Sequence, residues 1–237
     1  MNASNLPDPF AGHADNSPKT LTQAAYEALR RDIIRGTREP GERLRIEKLK
    51  AAYGLGPTPL REALQRLSAE GLVLAIGNRG FAVAQLDTAE FADLNLARTA
   101  VEKEALRLSI AHGDDGWEAG VVAARHTMAK ADRTLVDAVD HVPDSWENAN
   151  AAFHFAMVGA CPSQWLLHVR EKLHDLCERY RRASVYKERG SRDLQAEHAA
   201  IADAVLARDA ETACRLTERH FALTAKLITG TALISTD

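Results

Sequence analysis

The stretch Gly54-Leu55-Gly56-Pro57-Thr58-Pro59-Leu60-Arg61-Glu62-Ala63-Leu64 decides how the first third of the chain folds. Gly54 is a stop signal for a short helix before it. Thr58 followed by Pro59 places a capping hydroxyl ahead of a proline, whose missing N–H is harmless at the first helical position. The helix predicted from there puts Leu60, Ala63, Leu64 and Leu67 on one face and Arg61, Gln65 and Ser68 on another. Arg61 and Gln65 stand one turn apart near its N-terminal end. Long donors at that end of a recognition helix reach base edges and phosphates in the major groove.

Upstream, Leu21, Ala25, Ala28, Leu29 and Ile33 recur at helical spacing, with Thr20 as cap and Gly36 as stop. Glu39-Pro40-Gly41-Glu42 reads as a turn, and a short helix runs from about Ile46 to Tyr53 with Leu49 inward. Downstream of Glu70-Gly71, Leu72–Ile76 reads as a strand. Gly77-Asn78-Arg79-Gly80 reads as a turn and Phe81–Val83 as the returning strand. Two helices, a turn, a third helix and a hairpin with an arginine at its tip form a winged helix-turn-helix.

These residues resemble the DNA-binding domain of GntR-family regulators over about residues 20–86. The resemblance rests on Pro40-Gly41, the Thr-Pro-Leu-Arg-Glu-Ala-Leu run at 58–64, Gly71-Leu72-Val73 and Arg79-Gly80-Phe81. It implies that Arg45, Thr58, Arg61 and the wing pair Arg79-Gly80 lie at the DNA. Many members carry Ser-Arg before the Thr-Pro, where this chain has Gly56-Pro57, and that shifts readout toward Arg45 and the wing. The wording around Arg45-Ile46-Glu47 and Tyr53-Gly54-Leu55-Gly56 is most similar to the branch containing the carbon-starvation-induced repressor.

The rest of the chain differs in character. Residues 1–86 carry 12 Lys and Arg against 9 Asp and Glu, a net +3, while the remainder carries −6. A mildly basic head on an acidic body suits a DNA reader joined to a domain with another task. Hydrophobic residues at 46% and charged residues at 27% are ordinary for a globular chain, and no window approaches the roughly 18 apolar residues of a membrane helix. Residues 1–18 have the composition of a disordered tail rather than a signal peptide. Cys161, Cys177 and Cys214 are odd in number and widely spaced, which favours a reducing cytoplasm over a disulfide framework. The expected organisation is a tail at 1–18, a winged helix-turn-helix at 19–84, a linker at 85–88 and an all-helical domain at 89–230.

Within that second domain helices are expected at about 89–111, 116–131, 135–141, 145–160, 163–186, 191–207 and 210–229, punctuated by Gly113, Pro143, Pro162, Gly190 and Asp209. The fold class is therefore mainly α, a winged head followed by a helical bundle. The last two helices share a tight turn at Asp209, and His198 and His220 each lie 11 residues from it. In an antiparallel hairpin both stand roughly 16 Å from the turn, hence at one height. Asn150 and His154 form an i, i+4 pair on an apolar helix. Three imidazoles and an oxygen could hold Zn²⁺ or Ni²⁺; equally, spacing alone allows unconnected histidines.

Residues 90–225 resemble the FCD, or FadR-type, ligand-binding domain through Arg98-x-x-x-Glu102, Asn150-x-x-x-His154, Glu197-His198, the Asp209 turn and His220. The resemblance implies a divalent metal on Asn150, His154, His198 and His220, with Asn150 replacing the usual Asp. Arg98 would grip an effector carboxylate in a bidentate manner, or alternatively pair with Glu102 one turn on. Glu147 and Glu197 read as sequence neighbours only, and His13, His112, His126, His141, His168 and His174 as surface or packing residues. Arg179, Arg181 and Arg182 read as a wet face, with a dimer contact or the pocket mouth as alternatives. The reading is of a homodimeric regulator that binds double-stranded operator DNA and answers a small organic acid. A metal-responsive regulator and a metalloenzyme are the alternatives.

Overall fold

The computed structural model describes residues 20–77, 80–135, 142–184 and 192–230. Helix α1 spans Leu21–Ile34, and the Thr20 hydroxyl caps it by accepting from the Gln23 N–H. Strand β1 is Arg43–Leu44, helix α2 is Ile46–Tyr53 and helix α3 is Pro57–Ala69. Gly54 closes α2 at φ +66°, a left-handed conformation that glycine takes without a Cβ penalty. Strands β2, Val73–Ala75, and β3, Phe81–Val83, complete an antiparallel sheet of order β1-β3-β2. Leu44 pairs with Phe81, and Val73 with Val83. β1 was not expected. Two residues are too few to show alternation, and the strand exists because β3 offers it an edge.

The start of α3 also differs from the reading above. Gly56 is the N-cap and Pro57 the first helical residue, so Thr58 lies inside the first turn instead of capping it. Pro57 pushes Gly56 to an extended ψ of 166°, which suits a cap. With prolines at the first and third helical positions, two of the N–H groups that a helix start leaves open do not exist. Ala25, Leu29, Leu49, Leu60, Ala63, Leu64 and Leu67 close the head's core at 1% exposure or less.

The body contains α4 Thr88–His112, α5 Asp115–Leu135, α6 Asp144–Val158, α7 Gln164–Ser184, α8 Leu194–Leu206 and α9 Ala210–Gly230. Asp87 caps α4 by accepting from the Ala89 and Glu90 N–H groups. Of the helix expected at 135–141, Leu135 belongs to α5 and the rest lies outside the described residues. The tight α8–α9 turn places Arg208 at φ +59°, unusual for a residue with a Cβ. Its guanidinium secures that conformation by donating to the Ile110 and Gly113 carbonyls and covering the Trp117 ring. Asp209 then caps α9 through the Thr212 N–H.

Three helices of the body share one layering. Along α4, Phe91 belongs to a small apolar cluster with Cys177, Tyr180 and Ile228, and Ala105, Leu106 and Ile110 belong to the main core. Arg98 and Glu102 lie between, buried. Along α7 the buried Arg170 and His174 precede Cys177 and Tyr180, and along α9 Thr217 and His220 lie between Ala213 and Ile228. A polar layer therefore crosses the bundle between two apolar ones. Head and body meet at α7, where Leu176 packs on the head's core, Arg179 donates to the Ala84 carbonyl and Asp175 pairs with Arg30.

Candidate metal centre and DNA-reading head

The polar layer holds His154, His198 and His220, all buried, with one ring nitrogen each lying within 4.8 Å of the others. Ring centroids are 4.9 Å apart for His198 and His220, 5.4 Å for His154 and His220, and 6.0 Å for His154 and His198. The hairpin argument for His198 and His220 thus corresponds to a real juxtaposition, and α6 brings His154 to it. Asn150 is buried one turn before His154 on the same helix.

Two carboxylates orient the rings. His198 Nδ1 lies 2.8 Å from Asp132 Oδ2, and Asp132 is itself held by the Trp146 indole N–H. His220 Nδ1 lies 2.8 Å from Glu197 Oε2. A carboxylate only accepts, so each ring carries its proton on Nδ1 and presents a bare Nε2. Arg192 Nη2 also lies 3.0 Å from His220 Nδ1, but that group already donates to Glu197 and to the His220 carbonyl. Glu197 is therefore the partner that sets the tautomer. His198 Nε2 is fully buried with no hydrogen-bond partner. An orphaned imidazole nitrogen beside two others is a donor set that fits a divalent cation.

Burial disfavours the charged form of His154 and His220, and ligation requires the neutral one. It pushes His220 down to about 3, with His198 and Arg192 adding to the effect and Glu197 opposing it. His154 falls well below its usual range, first by burial and then through His220 and Arg98. His174 falls to about 3 for the same first reason. These rings take up protons on unfolding at any pH between their folded values and the ordinary 6.5, where the unfolded chain binds more protons. Their contribution is complete above pH 6.5 and is lost as pH falls below it, by up to about 1.4 kcal/mol per pH unit for each ring. The metal-free protein is accordingly expected to melt at progressively lower temperature from pH 7 to pH 5 in calorimetry. A melting temperature constant over that range would contradict neutral burial.

Arg98 does not pair with Glu102 as one alternative allowed. Glu102 faces Arg170 instead, at 2.9 and 3.0 Å. Arg98 is 4% exposed, makes no ion pair among the described residues and has an unpartnered Nε. Its guanidinium lies 3.9 Å over the Phe221 ring. Burial lowers it to about 10, so it stays charged at neutral pH. Further corrections concern α7. Arg179 and Arg181 are buried, not a wet face, and Arg181 pairs with Glu147 at 2.8 Å. Glu147 and Glu197 have side-chain partners distant in sequence, Arg181 and His220, and are not mere neighbours. His174 is buried with an unpartnered Nε2. Asp132, Arg170 and Thr217 were missed altogether. The signal was present in α7, where Arg170, His174, Cys177 and Arg181 recur at helical spacing as a polar stripe on an inward face.

In the head, Arg45, Thr58, Arg61 and Gln65 are exposed. Neighbouring cations are engaged: Arg66 lies 3.9 Å over the Tyr26 ring and donates to Gln23, and Arg38 binds Glu42 and Tyr53. Arg45 and Arg61 form no ion pair among the described residues. Gly80 takes φ +98° in the turn between β2 and β3, and Arg79 lies outside the described residues.

Residues 21–83 match the family model for bacterial regulatory proteins of the gntR family, and residues 93–223 match the FCD domain. The chain belongs to the GntR family, with an FCD C-terminal domain. It is 40% identical to the HTH-type transcriptional repressor GlaR of Escherichia coli over 199 residues, 82% of this chain and 90% of that one. It is equally 40% identical to the HTH-type transcriptional regulator BphR of Paraburkholderia xenovorans over 214 residues, 87% of each chain. E. coli McbR/YncC shares the fold with a TM-score of 0.74 at 19% identity, covering 90% of this chain and 99% of that chain. This GntR protein is a DNA-binding transcriptional regulator, and its family and relatives are regulators rather than enzymes. No described helix is long and apolar enough to cross a membrane.

Proposed function

We propose that this GntR protein is a homodimeric repressor whose hold on an inverted-repeat operator is set by a small carboxylate bound beside a metal in the polar layer. The observation that carries the reading is Arg98, a buried guanidinium without an ion-pair partner among the described residues, beside three buried imidazoles. Burying a charge without a partner costs several kcal/mol, and a bound carboxylate removes that cost. His154, His198, His220 and Asn150 would hold Zn²⁺ or Ni²⁺, which would supply a second positive charge for the same anion. The amide of Asn150 is neutral, so the site keeps more positive charge than it would with an aspartate.

The tail, head, linker and body divide at 1–18, 19–84, 85–88 and 89–230 in this reading. Head residues Arg45, Thr58, Arg61, Gln65, Arg79 and Gly80 would contact DNA. With Pro57 and Pro59 lacking N–H groups, the Thr58 N–H and hydroxyl are the donors at the α3 start that suit a phosphate. A second copy would cover the exposed Leu96 and Val169 on α4 and α7, and two heads at fixed spacing would read two half-sites. GlaR is a repressor by its name, which supports that sign here.

The test is a thermal-shift series of mono- and dicarboxylates on metal-loaded protein, with Arg98→Ala beside the wild type. A carboxylate is expected to raise the wild-type melting temperature, since it binds the folded state alone. Arg98→Ala is expected to lose most of that shift while keeping its metal and its operator affinity. An undiminished shift in Arg98→Ala would remove Arg98 from the pocket. If metal alone switched operator binding, the metal-responsive reading would replace this one.

A further inference from the structure

Helix α7 has two working faces. One carries the buried polar layer: Arg170 and Arg181 pair with Glu102 and Glu147, and Cys177 lies beside Arg98. His174, one turn before Cys177, is 5% exposed and turns an unpartnered Nε2 inward. The adjacent face of the same two turns belongs to the DNA-reading head. Leu176 packs on the head's core, Arg179 donates to Ala84 at its end, and Asp175 is ion-paired with Arg30 of α1. The two faces join at His174, whose Nδ1 lies 3.5 Å from Asp175 Oδ1.

We propose that His174, Asp175 and Arg30 form a relay through which a carboxylate in the Arg98 pocket changes how α1, and with it the winged head, sits on the body. The inference rests on the effector reading above and adds a pocket residue and a route to it. Its chemistry follows from the donor inventory. Asp175 carries a carboxylate, held ionised against the pull of burial by His174 and Arg30. It only accepts, so its approach to 3.5 Å favours the neutral His174 tautomer with the proton on Nδ1 and a lone pair at Nε2. An arriving carboxylate also brings only acceptors. For Nε2 to donate to it, the ring's proton must pass from Nδ1 to Nε2 by exchange through solvent, with no net proton uptake. The bare Nδ1 then faces the Asp175 carboxylate and repels it. Asp175 is left to Arg30 alone, and the contact between α7 and α1 is remade. Filling the pocket thus has different energies in the two head positions, which is the condition for any ligand to shift them.

Succinate and acetate, as the simplest probes, are applied to full-length, metal-loaded protein with operator DNA selected from a random pool. Wild type is expected to bind succinate, by thermal shift, and to change its operator Kd by about fivefold or more. Asp175→Asn is expected to bind succinate yet show an operator Kd ratio near one, and His174→Gln, which alters the donor facing the carboxylate, to bind succinate more weakly and also show a ratio near one. Arg30→Lys, which keeps the ion pair, is expected to retain most of the effect. Wild-type ratios in Asp175→Asn and His174→Gln would overturn the relay and leave the effector reading intact. Failure of both probes to bind wild type would overturn the effector reading, and the relay with it. A measurement that needs no variant is the ring ¹⁵N shifts of His174. They are expected to move from the Nδ1–H to the Nε2–H pattern as succinate binds, and an unchanged pattern with succinate bound overturns the relay.

Discussion

Replacing His198 and His220 together by alanine is expected to leave this GntR protein without the divalent ion proposed for the polar layer, from about one per chain to none by elemental analysis. Two of the three imidazoles that converge within 4.8 Å are lost, and the remaining His154 with Asn150 is a weak pair of neutral donors. The loss must exceed the roughly 10–100-fold that removing one outer-shell carboxylate costs. That smaller loss is the expected result for Asp132→Asn, which leaves every ligand in place but frees the His198 ring to turn. The order of the two effects is itself informative: a structural cluster of histidines without metal would show neither. Circular dichroism of each variant separates loss of metal from loss of fold, because both histidines are buried. An ion retained stoichiometrically by the double variant would place the metal elsewhere.

The second large effect is expected at Arg61. Arg61→Ala should weaken operator binding by about 5- to 150-fold, the 1–3 kcal/mol of a lost base contact. Arg61 is exposed on the first turns of α3 without an ion-pair partner among the described residues, whereas Arg66 five residues on is held over Tyr26. Arg66→Ala is therefore expected to lower the stability of the head more than to change its sequence preference. The salt dependence of Kd distinguishes the two kinds of contact at Arg61. A phosphate contact lowers the slope by about one unit and weakens all sequences alike, while a base contact relaxes specificity at one position. Unchanged operator affinity in Arg61→Ala would remove α3 from the groove.

Most of the helical architecture was legible because its signals are local. Thr20, Gly54 and Asp209 terminate or begin helices through hydrogen bonds to atoms within a few residues, and apolar spacing marks the buried stripes of α1 and α3. The symmetric placement of His198 and His220 about Asp209 was legible for the same reason: a tight hairpin converts sequence distance into height. Where two local signals competed, as with Pro57 and Pro59, the earlier proline took the first helical position and the residue before it became the extended cap.

The sequence by itself determined most of the described helices, the caps at Thr20 and Gly54, the helix-turn-helix head and the height at which two histidines meet. Only the tertiary structure decided which charges neutralise one another. Glu102 turned to Arg170 and not to Arg98, Glu147 to Arg181, Asp132 to His198 and Asp175 to Arg30. These partners lie 34 to 145 residues apart in the chain. Charge attraction acts between whatever side chains packing brings within a few ångströms, and no local spacing rule encodes such meetings. Among the described residues Arg98 is left without an ion pair after those pairings, so its state became visible only once its neighbours' partners were known.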